Sequence, residues 1–376
     1  MLASCAKNQL KIYQTFLWCL LLALGAPIFL WAQEENTSTQ KTPTPTLKVP
    51  ANQQGREERA AQPDDDVITV ESNLTNLLFT AVDRDRRYVT TLRREDLRVT
   101  EDNVPQEIFT FQRQTDLSLS LAILIDISGS QERTLPAEKI AARKFIESVI
   151  RPAKDEAAVI SFAGEAIIEQ NLTGSKSSLA RAIARVNFAV PPGYIGGGIV
   201  VQQGGTPPVG APTMMGSTAL WDAVWATSEE VLSRAPERTR RAIILLTDGV
   251  DTSSQLKSSE AIERTVKADA AIYAIGIGDP DYDGVDDGKL RKVCEKTGGR
   301  AFFPRNDGDL RAVFAQIEAE LRSQYLIAYS PTKKALDGTF RKVKIEVTNS
   351  ELRKEKLRLT YRPGYFANPT QRRSPR

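Results

Sequence analysis

Short apolar or alternating runs separated by charged turns fill residues 67–114: "VITVESNL", "NLLFTAVD", "LRVTEDN" and "EIFTFQR". Alternation with a period of two predicts half-buried β-strands. The pattern returns near the C-terminus as "QYLIAYS" at 324–330, "RKVKIEVT" at 341–348 and "KLRLTYR" at 356–362. In the second of these, Val343, Ile345 and Val347 share one face. Each set alone makes a small sheet with little to cover it, whereas the two together make a sandwich. The two ends of the chain are therefore expected to meet.

Residues 117–322 follow a different pattern, with strands and helices in alternation. "LSLSLAILID" at 117–126 is a continuous apolar run, the kind buried on both faces of a parallel sheet. The next segment places Ala137, Ala141, Phe145 and Val149 at spacings of four, and "AAVISF" follows as a second strand. Helices are expected around "LARAIARV", from Thr218 and from Ser258, with strands at "AIILLT", "AIYAIGI" and "RAFFP". A closing helix carries Val313, Ile317 and Leu321. This order predicts a doubly wound, mostly parallel α/β sheet inserted in a smaller β-sandwich made by the N- and C-terminal strands.

The remaining segments set the predicted organisation. Lys7 and Lys11 precede the uncharged stretch 15–32, and Glu34 and Glu35 follow it, so residues 1–32 read as a signal peptide or an uncleaved signal anchor. Residues 33–66, rich in Gln, Thr, Pro, Glu and Arg, read as a disordered linker. The sandwich then takes 67–116 and 323–366, the α/β domain 117–322, and a disordered tail 367–376. Export to the periplasm or the exterior is expected, with anchoring in the inner membrane through the N-terminal segment as the alternative.

Composition mainly excludes. There is no histidine, which removes Ser-His-Asp and Cys-His catalysis and zinc sites with histidine ligands. Of the cysteines, Cys5 and Cys19 lie in the N-terminal segment, leaving only Cys294 in a mature chain. A net charge of +3 is too small to indicate nucleic acid. The basic runs "RTRRA" and "RRSPR" carry no interleaved aromatics, so no nucleic-acid partner is expected.

Three polar clusters fall at the carboxyl ends of predicted strands, where ligands bind in open α/β sheets. Asp126, Ser128 and Ser130 end the first strand, Thr218 stands in "GSTALWDA", and Asp248 ends the strand in "ILLTDGVD". Singly, each is explained by a helix cap or an Asp-Gly turn. Together, Asp126-Ile-Ser128-Gly-Ser130, Thr218 and Asp248-Gly249 resemble the metal-ion-dependent adhesion site of the von Willebrand factor type A domain. The wider chain, about 67–366, resembles exported proteins of acidobacteria that carry this domain, through "RREDLRVTEDNVPQEI" before it and "RKVKIEV" and "YRPGYFA" after it.

That resemblance implies a Mg²⁺ or Mn²⁺ ion held by the hydroxyls of Ser128, Ser130 and Thr218, with at least one of Asp126 and Asp248 acting through water. It also implies a partner protein whose Asp or Glu carboxylate completes the ion's shell. Hard oxygen donors of this kind suit Mg²⁺ independently of the family. No glycine loop for phosphate and no nucleophile elbow is present, so binding rather than catalysis is expected. The alternative is a cell-envelope scaffold in which the metal is mainly structural.

Two further features stand near the site. Residues 187–216 form a Gly/Pro-rich loop containing Tyr194, Ile195, Met214 and Met215, and a decoy threonine, Thr206. Asp279, Asp281 and Asp283 alternate before Gly284, as in the first half of a calcium loop, but Leu290 stands where a bidentate Glu belongs. A Ca²⁺ site there competes with a solvated acidic loop.

Overall fold

The computed structural model describes residues 74–113, 117–188, 217–236, 239–278 and 284–367. The N-terminal segment 1–32, the linker 33–66, the loop 189–216, the tail beyond Ala367 and Asp279, Asp281 and Asp283 lie outside the described residues. The described elements all fall in one unit, Thr69–Arg376.

The described residues open with four strands, β1 (Thr75–Val82), β2 (Leu97–Glu101), β3 (Val104–Gln106) and β4 (Ile108–Arg113). A central α/β part comes next. Its strands are β5 (Leu119–Asp126), β6 (Glu156–Phe162), β7 (Ala166–Thr173), β8 (Arg240–Thr247), β9 (Ala270–Gly276) and β10 (Ala301–Phe302). Its helices are α1 (Leu135–Val149), α2 (Lys176–Arg185), α3 (Leu220–Ala226), α4 (Ser258–Lys267), α5 (Asp287–Thr297) and α6 (Asp307–Arg322). The chain then returns through β11 (Tyr325–Tyr329), β12 (Phe340–Val347), α7 (Ser350–Lys354), β13 (Arg358–Tyr361) and β14 (Gly364–Phe366).

The two ends meet strand by strand. One sheet runs β13-β1-β11-β4 and the other β14-β12-β2-β3, so each draws strands from both chain ends. Pairing is antiparallel, with Leu77 opposite Ile327 in one sheet and Val99 opposite Ile345 in the other. Residues of both sheets share one apolar core that includes Phe79, Val99, Tyr325 and Ile345. Phe79 stacks on Tyr325 with ring centroids 5.1 Å apart. Neither end could bury its apolar face without the other.

The central sheet runs β10-β9-β8-β5-β6-β7. All its pairs are parallel except β6 with β7. Along β5, Leu121, Ile123 and Ile125 enter a core with α1, α2 and α6, while Ala122 and Leu124 enter another with α3, α4 and α5. Cover on both faces is why the strand reads as an unbroken apolar run. Because α1 after β5 and α4 after β8 lie on opposite faces, the carboxyl ends of these adjacent strands form the switch point of the sheet. Among the described residues, no helix is long and apolar enough to cross a membrane.

The last helix of the central part, α6, ties the two parts together. Glu320 of α6 is buried; it pairs with Arg300 at 3.0 Å and accepts a hydrogen bond from Tyr88 of the sandwich at 3.3 Å. At the other end of α6, the Asn306 side chain accepts from the Asp309 N–H at 2.9 Å, capping the helix. Asn306→Ala is expected to cost about 1 kcal/mol of stability, read as a lower urea midpoint with an unchanged m-value.

Candidate metal site

The carboxyl end of β5 places Asp126 against the carboxyl end of β8. Asp126 is wholly buried. One of its oxygens accepts from the Ser128 N–H at 2.9 Å and the other from the Thr247 hydroxyl at 2.6 Å. Thr247 in turn accepts from the Gly249 N–H at 3.1 Å, so the turn after β8 fixes the carboxylate of β5. Gly249 has φ 83°, and a Cβ there would lie 2.9 Å from the Leu290 side chain. This Asp-Gly turn accordingly needs its glycine.

Ser128 stands at the start of a single 3-10 turn, yet its side chain makes no capping hydrogen bond. Instead its hydroxyl lies 3.3 Å from that of Ser130. Ser130 donates to Asp248 Oδ2 at 2.5 Å, and the other Asp248 oxygen accepts from the Val250 N–H at 2.9 Å. Asp126, Ser128, Ser130 and Asp248 are thus brought together in one polar chain. Ser128 and Asp248 are buried and Ser130 is half-exposed, which puts the open side of the cluster at Ser130.

Thr218 is placed by its backbone. Its N–H donates to the Thr252 hydroxyl at 2.8 Å, and its carbonyl accepts from the Thr252 and Ser253 N–H groups at 2.9 and 3.1 Å. This zips the residue to the loop that follows Asp248. One expectation needs correcting: Thr218 does not open a helix, since α3 begins at Leu220. The first N–H groups of α3 go to other side chains, Leu220 to Asp251 at 3.0 Å and Trp221 to Ser254 at 2.9 Å. The Thr218 hydroxyl is therefore not needed as a cap, and the residue itself is buried.

Burial pushes the Asp126 carboxyl up to about 7, and the charge of Asp248 adds to the rise, against the hydrogen bonds from Ser128 and Thr247. The charge of Asp248 disfavours the ionised form of Asp126, and a divalent cation beside them would reverse that. Among the described residues no group of three or more His, Cys, Asp or Glu is placed to hold a metal. The donor set here is different in kind, with two carboxylates and neutral hydroxyls, which matches the chemistry of a hard cation that keeps some of its waters.

Three residues that the motif did not point to surround the cluster. Thr247 holds Asp126 from behind. Gln131 is wholly buried, and its amide donates to Asp248 Oδ2 at 3.1 Å while its carbonyl oxygen accepts from the Thr134 hydroxyl at 3.1 Å. Glu138 lies in the first turn of α1, also wholly buried, with neither carboxylate oxygen hydrogen-bonded. A signal for it exists in the sequence: with Ala142, Phe145 and Val149 it lies on one buried helical stripe, where a lone carboxylate is out of place.

Comparison with curated proteins returns no match. Among solved structures, the chain is similar to proximal thread matrix protein 1 from the mussel byssus, at 18% identity and TM-score 0.44, covering 59% of this chain and 51% of that one. A further crystal structure of that protein has a zinc-occupied MIDAS motif; it matches at 18% identity and TM-score 0.43, covering 58% of this chain and 48% of that one. The chain therefore spans about half the length of the mussel protein. A von Willebrand factor type A protein from Catenulispora acidiphila is similar at 14% identity and TM-score 0.43, covering 80% of this chain and 73% of that one. The family model for the von Willebrand factor type A domain matches residues 209–316, a span that includes Thr218 and Asp248. Over residues 209–316, then, the chain is similar to the von Willebrand factor type A domain.

Proposed function

We propose that the protein is an exported, cation-dependent protein-binding module in which Asp126, Ser128, Ser130, Thr218 and Asp248 hold a Mg²⁺ or Mn²⁺ ion. The observation that carries this reading is the convergence of Asp126, Ser128, Ser130 and Asp248 at the switch point, with Ser128 at a cap position where it does not cap. The bound ion would supply a Lewis-acidic position for one more oxygen, the carboxylate of a partner's Asp or Glu. Neutral hydroxyls as direct donors leave such an ion electron-poor and receptive to that anion. Thr247 and Gln131 orient the two carboxylates from outside the cluster, the service that outer hydrogen bonds give to metal ligands. General-base duty would fall to a carboxylate in a chain without histidine. Asp126 is already committed to Ser128 and Thr247, which disfavours it in that role.

Titration calorimetry with Mg²⁺ and Mn²⁺ tests the ligand set. Ser128→Ala and Thr218→Ala are expected to weaken binding by about 10–100-fold, while Thr206→Ala leaves it unchanged; equal loss from Thr206→Ala would overturn the assignment of Thr218. Fluorescence anisotropy with labelled Asp- and Glu-containing peptides then tests the function. Binding that disappears in EDTA supports capture through the ion, whereas binding indifferent to EDTA supports a scaffold with a structural metal.

A further inference from the structure

A cleft of about 710 Å³ opens near the candidate metal site, between the start of α1, the end of β9 and the start of α6. Its walls include Phe303 and Leu310, its rim Arg133, Arg291 and Arg305, and Glu138 also lines it. Polar groups lead from the cluster toward this cleft in a connected order. Gln131 donates to Asp248, and Thr134 donates to Gln131. Next along α1 comes Glu138, where the order stops, because both of its oxygens lack a hydrogen-bond partner although the residue is fully buried. The Thr134 hydroxyl, just before α1, is near enough to ease ionisation of Glu138, but its hydrogen bonds go to Gln131.

A buried carboxylate without a donor costs several kcal/mol if ionised, so the geometry describes half of an interaction. We propose that this cleft is a second binding site, one that takes the ammonium or guanidinium group of a partner's lysine or arginine, with Glu138 as its acceptor. A cation reaching Glu138 would form a charge-assisted hydrogen bond in a poorly hydrated setting, where such bonds are strong. The apolar walls suit the methylene stem of a long basic side chain. Asp126 and Asp248 both act on Glu138 with negative charge and would favour the cation further. An anion held by the rim arginines is the competing occupant. It is disfavoured by Glu138, and Arg291 is already engaged with Asp287 at 3.5 Å and with the Phe303 ring at 4.5 Å.

The test uses the full chain with methyl-labelled Ile, Leu and Val, in EDTA at pH 9, where Glu138 is ionised and an alkylammonium is still charged, titrated with n-butylammonium chloride as a lysine side-chain probe. Saturable shifts of the Ile277, Val285 and Leu310 methyls are expected, weakened at least about tenfold in Glu138→Gln and retained in Glu138→Asp. Circular dichroism shows whether each variant is folded. The proposal is overturned if 1-butanol reproduces the shifts, if Glu138→Gln binds as the wild type does, if butyrate binds more tightly, or if no saturable shift occurs. Because EDTA is present throughout, the outcome does not depend on the metal reading.

Discussion

Glu101→Ala is expected to lower the stability of the folded chain by about 3–5 kcal/mol, measured by urea unfolding. Glu101 ends β2 inside the sandwich and pairs with Arg341 of β12 at 3.2 Å, their side chains only 3% and 2% exposed. One oxygen of Glu101 also accepts from the hydroxyls of Tyr329 and Tyr365, each at 2.9 Å. Removing the carboxylate leaves a guanidinium buried without its counter-charge and two hydroxyls without an acceptor. The remaining Arg341 bonds, to the carbonyls of Lys333 and Ala335, carry no charge to replace it. Pairing Glu101→Leu with Arg341→Met is expected to recover most of the loss, since it removes both charges together. An equal loss in the double variant would show that the cost lies in packing and not in the stranded charge. The effect reaches the candidate site only indirectly, because these strands hold together the sandwich that receives both ends of the α/β part.

Elements whose burial follows a simple period were legible in the sequence. Val343 and Ile345 alternate on β12 because one face of that strand meets the core. β5 is apolar throughout because helices cover both faces of the sheet. β7 escaped notice for the opposite reason: it is an antiparallel edge strand, and none of its residues is buried. Without a buried face there is no alternation to read. In α3 the helix is legible but its start, at Leu220 rather than Thr218, is not. Its first N–H groups are satisfied by Asp251 and Ser254, side chains that no local pattern ties to residue 220.

The candidate site divides along the same line. The residues of the Asp-x-Ser-x-Ser motif are close in sequence, and their type and spacing announce oxygen chemistry before any fold is known. Asp248 could be joined to them only by assuming the parallel sheet, since nothing but the pairing of β5 with β8 brings it near. Gln131 and Thr247 were invisible because their roles are fixed by where a single hydrogen bond goes, and a buried glutamine or threonine is otherwise unremarkable. Glu138 differs from both: its spacing to Ala142, Phe145 and Val149 is in the sequence, but only the structure shows that this stripe is buried and that the carboxylate has no hydrogen-bond partner.

Replacing Glu138 by Gln is expected to stabilise the metal-free protein by about 3–5 kcal/mol at pH 9 and to change little at pH 4. Burial, against the Thr134 hydroxyl and with the negative charges of Asp126 and Asp248, pushes this carboxyl from its ordinary 4.5 up to about 8. Between those values the native state holds a proton that the unfolded chain has lost. Native stability then falls as pH rises through this window, and the loss levels off above about pH 8. The amide introduced by Glu138→Gln cannot ionise, so the difference between variant and wild type isolates this group, even though Asp126, raised to about 7 for related reasons, titrates in both. Urea unfolding in EDTA at pH 4, 6, 7.5 and 9 measures it, and a difference that is flat with pH would show that Glu138 is not the group that titrates. A divalent ion among Asp126, Asp248 and the hydroxyls would place positive charge near Glu138 and make it easier to ionise. With saturating Mg²⁺ the advantage of Glu138→Gln at pH 9 is therefore expected to shrink. A residue whose removal stabilises the fold while weakening capture of a cation belongs to a binding surface, because groups poised to bind are commonly held at a cost to stability.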